Sequence, residues 1–196
     1  MIPLRLPHIY PIIDDAYITY DRIEETARAL IDGGAGILQL RGKGLSSAEL
    51  LSAARSIRRF TRKADVIFIV NDRVDIALLS DADGVHLGQD DMPVPAARKL
   101  LGREKIIGFS THNVQEALAA ERLPVDYISF GPLFKTGTKK DAEEPKGVPA
   151  LTEVSSSVEI PIVAIGGIGE ERIGEVLRSG AKSVAMISDI LSATDI

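Results

Sequence analysis

The chain has 196 residues, 45% hydrophobic and 26% charged, which fits a globular fold with a single domain over 1–196. A net charge of −5 argues against nucleic acid as a main partner, because phosphate backbones are gripped by basic surfaces. With no cysteine there is neither a disulfide framework nor thiolate catalysis. No apolar run nears the roughly 20 residues of a membrane-spanning helix, and the first residues lack the apolar stretch of a secretory signal, so a cytoplasmic, membrane-free location is expected.

The predicted elements alternate from end to end. A strand over 8–13 leads to a helix over 21–31 that stops at Gly33-Gly34. A second strand, 36–41, precedes a helix running from Ser46-Ser47 to about residue 63. Ser46 and Glu49 match a capping box there, and Leu50, Leu51, Ala54, Ile57 and Phe60 recur at helical spacing. Next come a strand over 66–70, a short helix over 74–80, a strand over 84–87 and a helix over 94–101. A strand over 105–109, a helix over 113–122 and a strand over 127–130 follow. Residues 133–148 form the one long stretch without periodicity; a loop of that length in a compact fold is usually either a working lid or disordered, and the Thr136-Gly137-Thr138-Lys139 core favours a lid. A helix from about residue 149, a strand over 160–165, a helix over 170–179 and a strand over 183–187 complete the pattern. Eight strands with seven full intervening helices predict a compact (β/α)8 TIM barrel of the α/β class with a truncated final helix. A doubly wound sheet is the competing arrangement, but eight units in this length favour closure.

Polar clusters end five of the apolar runs, where the sites of such folds lie. In an extended segment Gln39, Arg41 and Lys43 share one face, which would aim an amide and two cations at an anion. Charges that merely reach solvent explain about half of such clusters, but not a glutamine one step deeper. Asn71-Asp72 and Gln89-Asp90-Asp91 follow the third and fourth strands, and two carboxylates beside a diphosphate make an oxygen-rich site for Mg²⁺. Taken singly, each aspartate reads equally well as a helix or turn cap. Ser110, Thr111 and Asn113 compete to cap the fifth helix, with Ser110 also a phosphate donor. His112 is either a proton shuttle or a surface residue, and His86 is expected to pack or hydrogen-bond inside the barrel. Thr136-Gly137-Thr138-Lys139 looks like a phosphate cradle without the spacing of a P-loop. Gly166-Gly167 and Ile187-Ser188 fall after the seventh and eighth strands, where barrels commonly hold a phosphate.

The ordered set of motifs resembles the thiamine phosphate synthase family over nearly the whole chain. It comprises Gln39-Leu40-Arg41-Gly42-Lys43, Val70-Asn71-Asp72, the run from Ala82 to Asp91, and Gly108-Phe109-Ser110-Thr111-His112. Asp126-Tyr127, the run from Phe130 to Phe134, Thr136-Gly137-Thr138-Lys139, Ile165-Gly166-Gly167-Ile168 and Ile187-Ser188 continue it. The resemblance implies a TIM barrel that joins 4-amino-2-methyl-5-hydroxymethylpyrimidine diphosphate to a thiazole phosphate, plain or carboxylated, releasing diphosphate by a dissociative route. It implies that Gln39, Leu40, Arg41, Gly42, Lys43, Asn71, Ser110 and Lys139 hold the pyrimidine diphosphate, with Arg41, Lys43, Ser110 and Lys139 catalytic. It implies Mg²⁺ on Asp72 and Asp91, and the thiazole phosphate on Thr136, Gly137, Thr138, Gly167, Ile187 and Ser188.

Gly42 stands where the family pattern carries an acidic residue, Lys135 where it carries proline, and the chain ends soon after the eighth strand. The flank left by a short final helix would suit a homo-oligomer. Three other readings compete. A thiazole tautomerase of the same superfamily would use His112 as acid and base without Mg²⁺, and a non-catalytic paralogue would bind thiamine precursors without turnover. An unrelated sugar-phosphate isomerase would need an identifiable carboxylate or lysine base. Intact Asn71-Asp72 and Gln89-Asp90-Asp91 together favour the synthase.

Overall fold

The computed structural model describes residues 4–137 and 144–193. Its strands are β1 (Ile9–Asp14), β2 (Ile37–Arg41), β3 (Ile67–Asn71), β4 (Gly84–Leu87), β5 (Ile106–Thr111), β6 (Tyr127–Phe130), β7 (Ile162–Ile165) and β8 (Ser183–Met186). Neighbours pair in parallel in sequence order, and β8 returns to β1 to close the barrel. That closure removes the doubly wound alternative. The helices are α1 (Ile23–Asp32), α2 (Ser47–Ala64), α3 (Val74–Leu79), α4 (Val94–Leu101), α5 (Val114–Ala120), α6 (Gly147–Ser157), α7 (Ile173–Arg178) and α8 (Ser188–Leu191). Helix α8 is a single short turn.

Differences from the sequence-based boundaries have local causes. Tight 3₁₀ turns, Tyr20–Arg22 and Glu170–Arg172, open the first and seventh helical segments. Helix α6 begins at Gly147, ahead of the expected 149. Pro149 is tolerated because the first N–H groups of a helix have no intrahelical partner to lose. The expected loop over 133–148 is anchored at both ends. Leu133 is fully buried, and the Leu133 and Phe134 amides donate to Ile165 and Gly166 carbonyls at 2.9 Å each. The Gly147 amide donates back to Leu133 at 3.0 Å. On α2 the Ser46–Glu49 capping box forms, and Leu50, Ala54 and Ile57 are buried. Leu51 is only partly buried against the core, and Phe60 lies under the Arg28 guanidinium at 4.0 Å.

Strand alternation sorts the side chains into two layers. Phe68, Val70, Val85, Leu87, Ile107, Ile128 and Phe130 face outward and pack with the helices. Tyr10, Ile12, Ile37, Ile69, Tyr127, Val163 and Ala185 fill the interior, together with Leu6 from the segment before β1. Each fully buried aliphatic or aromatic side chain contributes about 1.5–3 kcal/mol, so this double layer is the main source of stability.

Two matching latches tie the helices to the N-terminal ends of the strands. Arg58 of α2 forms a two-pronged pair with Asp83 at 2.9 Å per contact, and Asp83 accepts the Phe68 amide of β3 at 2.8 Å. Arg98 of α4 pairs with Asp126 at 2.7 Å, and Asp126 accepts the Ile107 amide of β5 at 2.8 Å. Both latches lie away from the strand ends that carry the polar clusters. They hold the scaffold while the opposite rim is free for chemistry.

Candidate active site

A cavity of about 310 Å³ opens at the C-terminal ends of the strands. The expected alternation on β2 is observed: Gln39, Arg41 and Lys43 all face into it. Asn71 at the end of β3, Asp72 just after it, Asp91 after β4 and Ser110 on β5 reach the same space. Thr136, Gly167, Ile187 and Ser188 line its other side. Leu40 and Gly137 are not among the lining residues; the Leu40 side chain is buried in the outer layer. Gly42 lies beside Leu45 and Leu50, where an added Cβ would stand 2.9 and 2.8 Å from their methyl carbons. A larger residue at 42 would have to displace those methyl groups. Thr138 and Lys139 lie outside the described residues, and with them the centre of the expected lid.

The two aspartates are not simple helix caps. Asp72 sits in the left-handed region at φ 62° and its carboxylate pairs with Lys43 Nζ at 2.8 Å, while α3 has no side-chain cap bond. Burial pushes the Asp72 carboxyl above its ordinary value, Asp91 pushes it further, and Lys43 opposes both. Asp91 Oδ2 accepts the Gly88 amide at 2.7 Å, closing the turn that carries it. Among the described residues the lining carries two cations, Arg41 and Lys43, and four carboxylates, Asp72, Asp90, Asp91 and Asp189. A cation held between the carboxylates would help to seat an anion there.

Hard oxygen donors and mutual repulsion between Asp72 and Asp91 fit Mg²⁺, which takes one or two carboxylates and completes its shell with substrate oxygens and water. Among the described residues no cluster of three or more His, Cys, Asp or Glu side chains is arranged for a metal. Ligand oxygens and water would complete such a shell.

Beneath the charged rim lies a neutral polar floor. Gln39 Nε2 donates to the Tyr10 hydroxyl at 3.0 Å, and the Tyr10 and Tyr127 hydroxyls share a 3.0 Å bond. Tyr127 bonds His86 Nδ1 at 3.0 Å, and His86 Nε2 bonds Ser110 Oγ at 3.0 Å. Burial raises both tyrosine hydroxyls well above their ordinary values, so they stay neutral donors and acceptors. Neighbouring strands build this chain: His86, Gly108 and Tyr127 lie side by side across β4, β5 and β6. His86 thus packs and hydrogen-bonds within the barrel, as expected, and also lines the cavity. Asn113, not Ser110, caps α5, accepting the Glu116 amide at 2.9 Å, which leaves Ser110 for the floor. His112 lines the cavity with Nδ1 donating to the Gly131 carbonyl at 2.8 Å.

Gly166 and Gly167 adopt φ 100° and 63°, and a Cβ on Gly167 would meet the Lys135 carbonyl oxygen at 2.5 Å. Glycine is required here because the segment after β6 packs directly on the β7 turn. Sequence reasoning missed Tyr10, Tyr127, Ser129 and Asp14 as site residues. For Asp14 the signal was present, since the run Ile12-Ile13 also ends in paired charges, Asp14-Asp15. Tyr127 stood in the Asp126-Tyr127 motif without a role, and Tyr10 carried no local signal, because only barrel register brings the two together.

A closed parallel barrel whose strand ends gather cations, carboxylates and a neutral polar floor has the architecture of the α/β-barrel enzymes, whose sites lie at that rim. A sequence model described as thiamine monophosphate synthase matches residues 9–190. The thiamine-phosphate synthase of Lawsonia intracellularis is 49% identical over 188 residues, covering 96% of this chain and 87% of that one. That of Clostridium novyi is 44% identical over 188 residues, with 96% and 92% covered. The solved thiamine phosphate pyrophosphorylase of Pyrococcus furiosus superposes with a TM-score of 0.86 at 37% identity, covering 96% and 89%. This chain belongs to the thiamine monophosphate synthase family.

Proposed function

We propose that the protein is a thiamine-phosphate synthase, a transferase joining 4-amino-2-methyl-5-hydroxymethylpyrimidine diphosphate to 4-methyl-5-(2-phosphoethyl)thiazole. The products are thiamine phosphate and diphosphate. The observation that carries this reading is the convergence of Gln39, Arg41, Lys43, Asn71, Asp72, Asp91 and Ser110 on one cavity whose far side is lined by Thr136, Gly167 and Ser188. One half suits a diphosphate on a polar ring; the other suits a second phosphate.

The chemistry is a substitution at the methylene carbon of the pyrimidine. The C–O bond to diphosphate breaks with its electron pair leaving on oxygen, and the thiazole nitrogen then forms the new C–N bond. Arg41 and Lys43 face the leaving group and stabilise charge where it develops. Asp72 and Asp91 would hold Mg²⁺, which when bound offsets the charge of the departing diphosphate. Gln39, His86 and Ser110 offer donors and acceptors that keep the ring in one orientation. No side-chain nucleophile is needed. Lys139 would add a further cation, and Thr136, Gly137 and Thr138 with Ser188 would hold the thiazole phosphate. Leu40 and Gly42 act through the backbone that carries Arg41 and Lys43.

The test is incubation of the purified protein with both substrates and Mg²⁺, followed by oxidation of the product to fluorescent thiochrome. The expected signal depends on Mg²⁺, disappears with chelator and is largely lost in Asp72→Ala. Absence of signal with thiazole phosphate still bound would replace the synthase with the tautomerase or the silent binding protein.

A further inference from the structure

Both cations of the β2 rim are already paired, but in different ways. Lys43 meets Asp72 with its own side chain 57% exposed, so that pair is open to exchange with a ligand. Arg41 meets Asp14, whose side chain is fully buried at the end of β1, with Nη1 2.7 Å from Oδ2. The other Asp14 oxygen accepts the Ala16 amide at 3.0 Å, so the carboxylate cannot swing away. Among the described residues the contact engages Nη1 alone, leaving the rest of the guanidinium fork for the cavity. The next residue repeats the grip on the backbone. Asp15 accepts the Lys43 amide at 3.2 Å and the Gly44 amide at 2.6 Å, and its own amide donates to the Arg41 carbonyl at 3.1 Å. Side chains at Gly44 are excluded by this contact, since a Cβ there would stand 2.9 Å from Asp15 Oδ2.

We infer that Asp14 and Asp15 form a clamp in which Asp14 is a positioning residue, holding the Arg41 guanidinium aimed at the departing diphosphate. This rests on the function proposed above. Arg41 has several rotatable bonds, and an unfixed guanidinium would have to be ordered during the reaction. A buried partner orders it beforehand, and a carboxylate rather than an amide holds the fork by a charge-assisted bond. Asp14 touches no substrate and acts only through Arg41.

The test is a double-mutant cycle of Asp14→Asn, Arg41→Gln and the pair together. It is read by calorimetric binding of inorganic diphosphate with Mg²⁺, and by kcat and KM in the thiochrome assay. Asparagine keeps the shape and the Ala16 acceptor while removing the charge. Asp14→Asn is expected to weaken diphosphate binding about tenfold and to lower kcat more than it raises KM for the thiazole phosphate. In the Arg41→Gln background the same change is expected to have no further effect on binding. If Asp14→Asn proves too unstable to purify, Asp15→Asn, which loosens the same segment through its backbone, is expected to weaken diphosphate binding in the same direction. Wild-type turnover with unchanged diphosphate affinity in a folded Asp14→Asn variant, or full additivity with Arg41→Gln, overturns the clamp and leaves the function standing. Wild-type protein without turnover or diphosphate binding removes the function and the clamp with it.

Discussion

Gly108→Ala probes the floor of the site most directly. Gly108 lies between His86 and Tyr127 in register, and a Cβ there would be driven into the Tyr127 ring and hydroxyl and into His86 Nδ1. Tyr127 is fully buried and stacked on His86 with ring centroids 5.5 Å apart, so a shift of one ring disturbs the other. Overpacking a closed core costs about 1–3 kcal/mol. Displacing Tyr127 also breaks its bonds to Tyr10 and His86, worth about 1 kcal/mol each in net stability. The expected loss is about 3–5 kcal/mol, or a fall in melting temperature of roughly 6–20 °C for a chain of this size. Denaturant titration followed by circular dichroism measures it, with Gly34→Ala excluded for its positive φ and Gly137→Ala as the control, because among the described residues nothing lies within 4 Å of a Cβ at 137. A Gly108→Ala protein within about 1 kcal/mol of wild type would show that the floor adapts freely, refuting the claim that register holds it.

Other perturbations separate structure from chemistry. Asp72→Asn keeps a residue tolerant of the left-handed backbone and removes a charge that burial and Asp91 disfavour. Because the Asp72 carboxyl is raised in the folded protein, its charging costs stability as pH rises from the usual 3.8 through the raised value. The variant should therefore equal wild type in strong acid and exceed it at neutral pH, while losing Mg²⁺-dependent turnover; paired melting curves across pH check the gap, and one that closes toward neutrality refutes the sign. Arg58→Ala removes a guanidinium only 15% exposed and leaves Asp83 with the Phe68 amide alone. It should cost about 3 kcal/mol while KM for both substrates stays at the wild-type value, measured by urea unfolding and steady-state kinetics.

How much of this was legible in the sequence can be followed residue by residue. The strand over 84–87 and the helix over 94–101 were predicted at their observed limits, since a short continuous apolar run and a proline-led amphipathic stretch are local signals. The shared face of Gln39, Arg41 and Lys43 was equally local, being a two-residue period within a strand. The capping box of α2 needed only residues three apart.

Nothing local could show that Asp14 would lie under Arg41, or that Tyr10 and Tyr127, 117 positions apart, would share a hydrogen bond. Those meetings follow from closure of β1 against both β2 and β8, which turns eight separate inward faces into one floor. The same closure decided between capping and cavity for Asp72, which meets Lys43 across the rim. The sequence by itself determined which residue types stand at the strand ends, because alternation and capping act over a few neighbours. Tertiary structure decided which of them face one another, because contact between distant strands depends on barrel register, and that register is a property of the whole sheet.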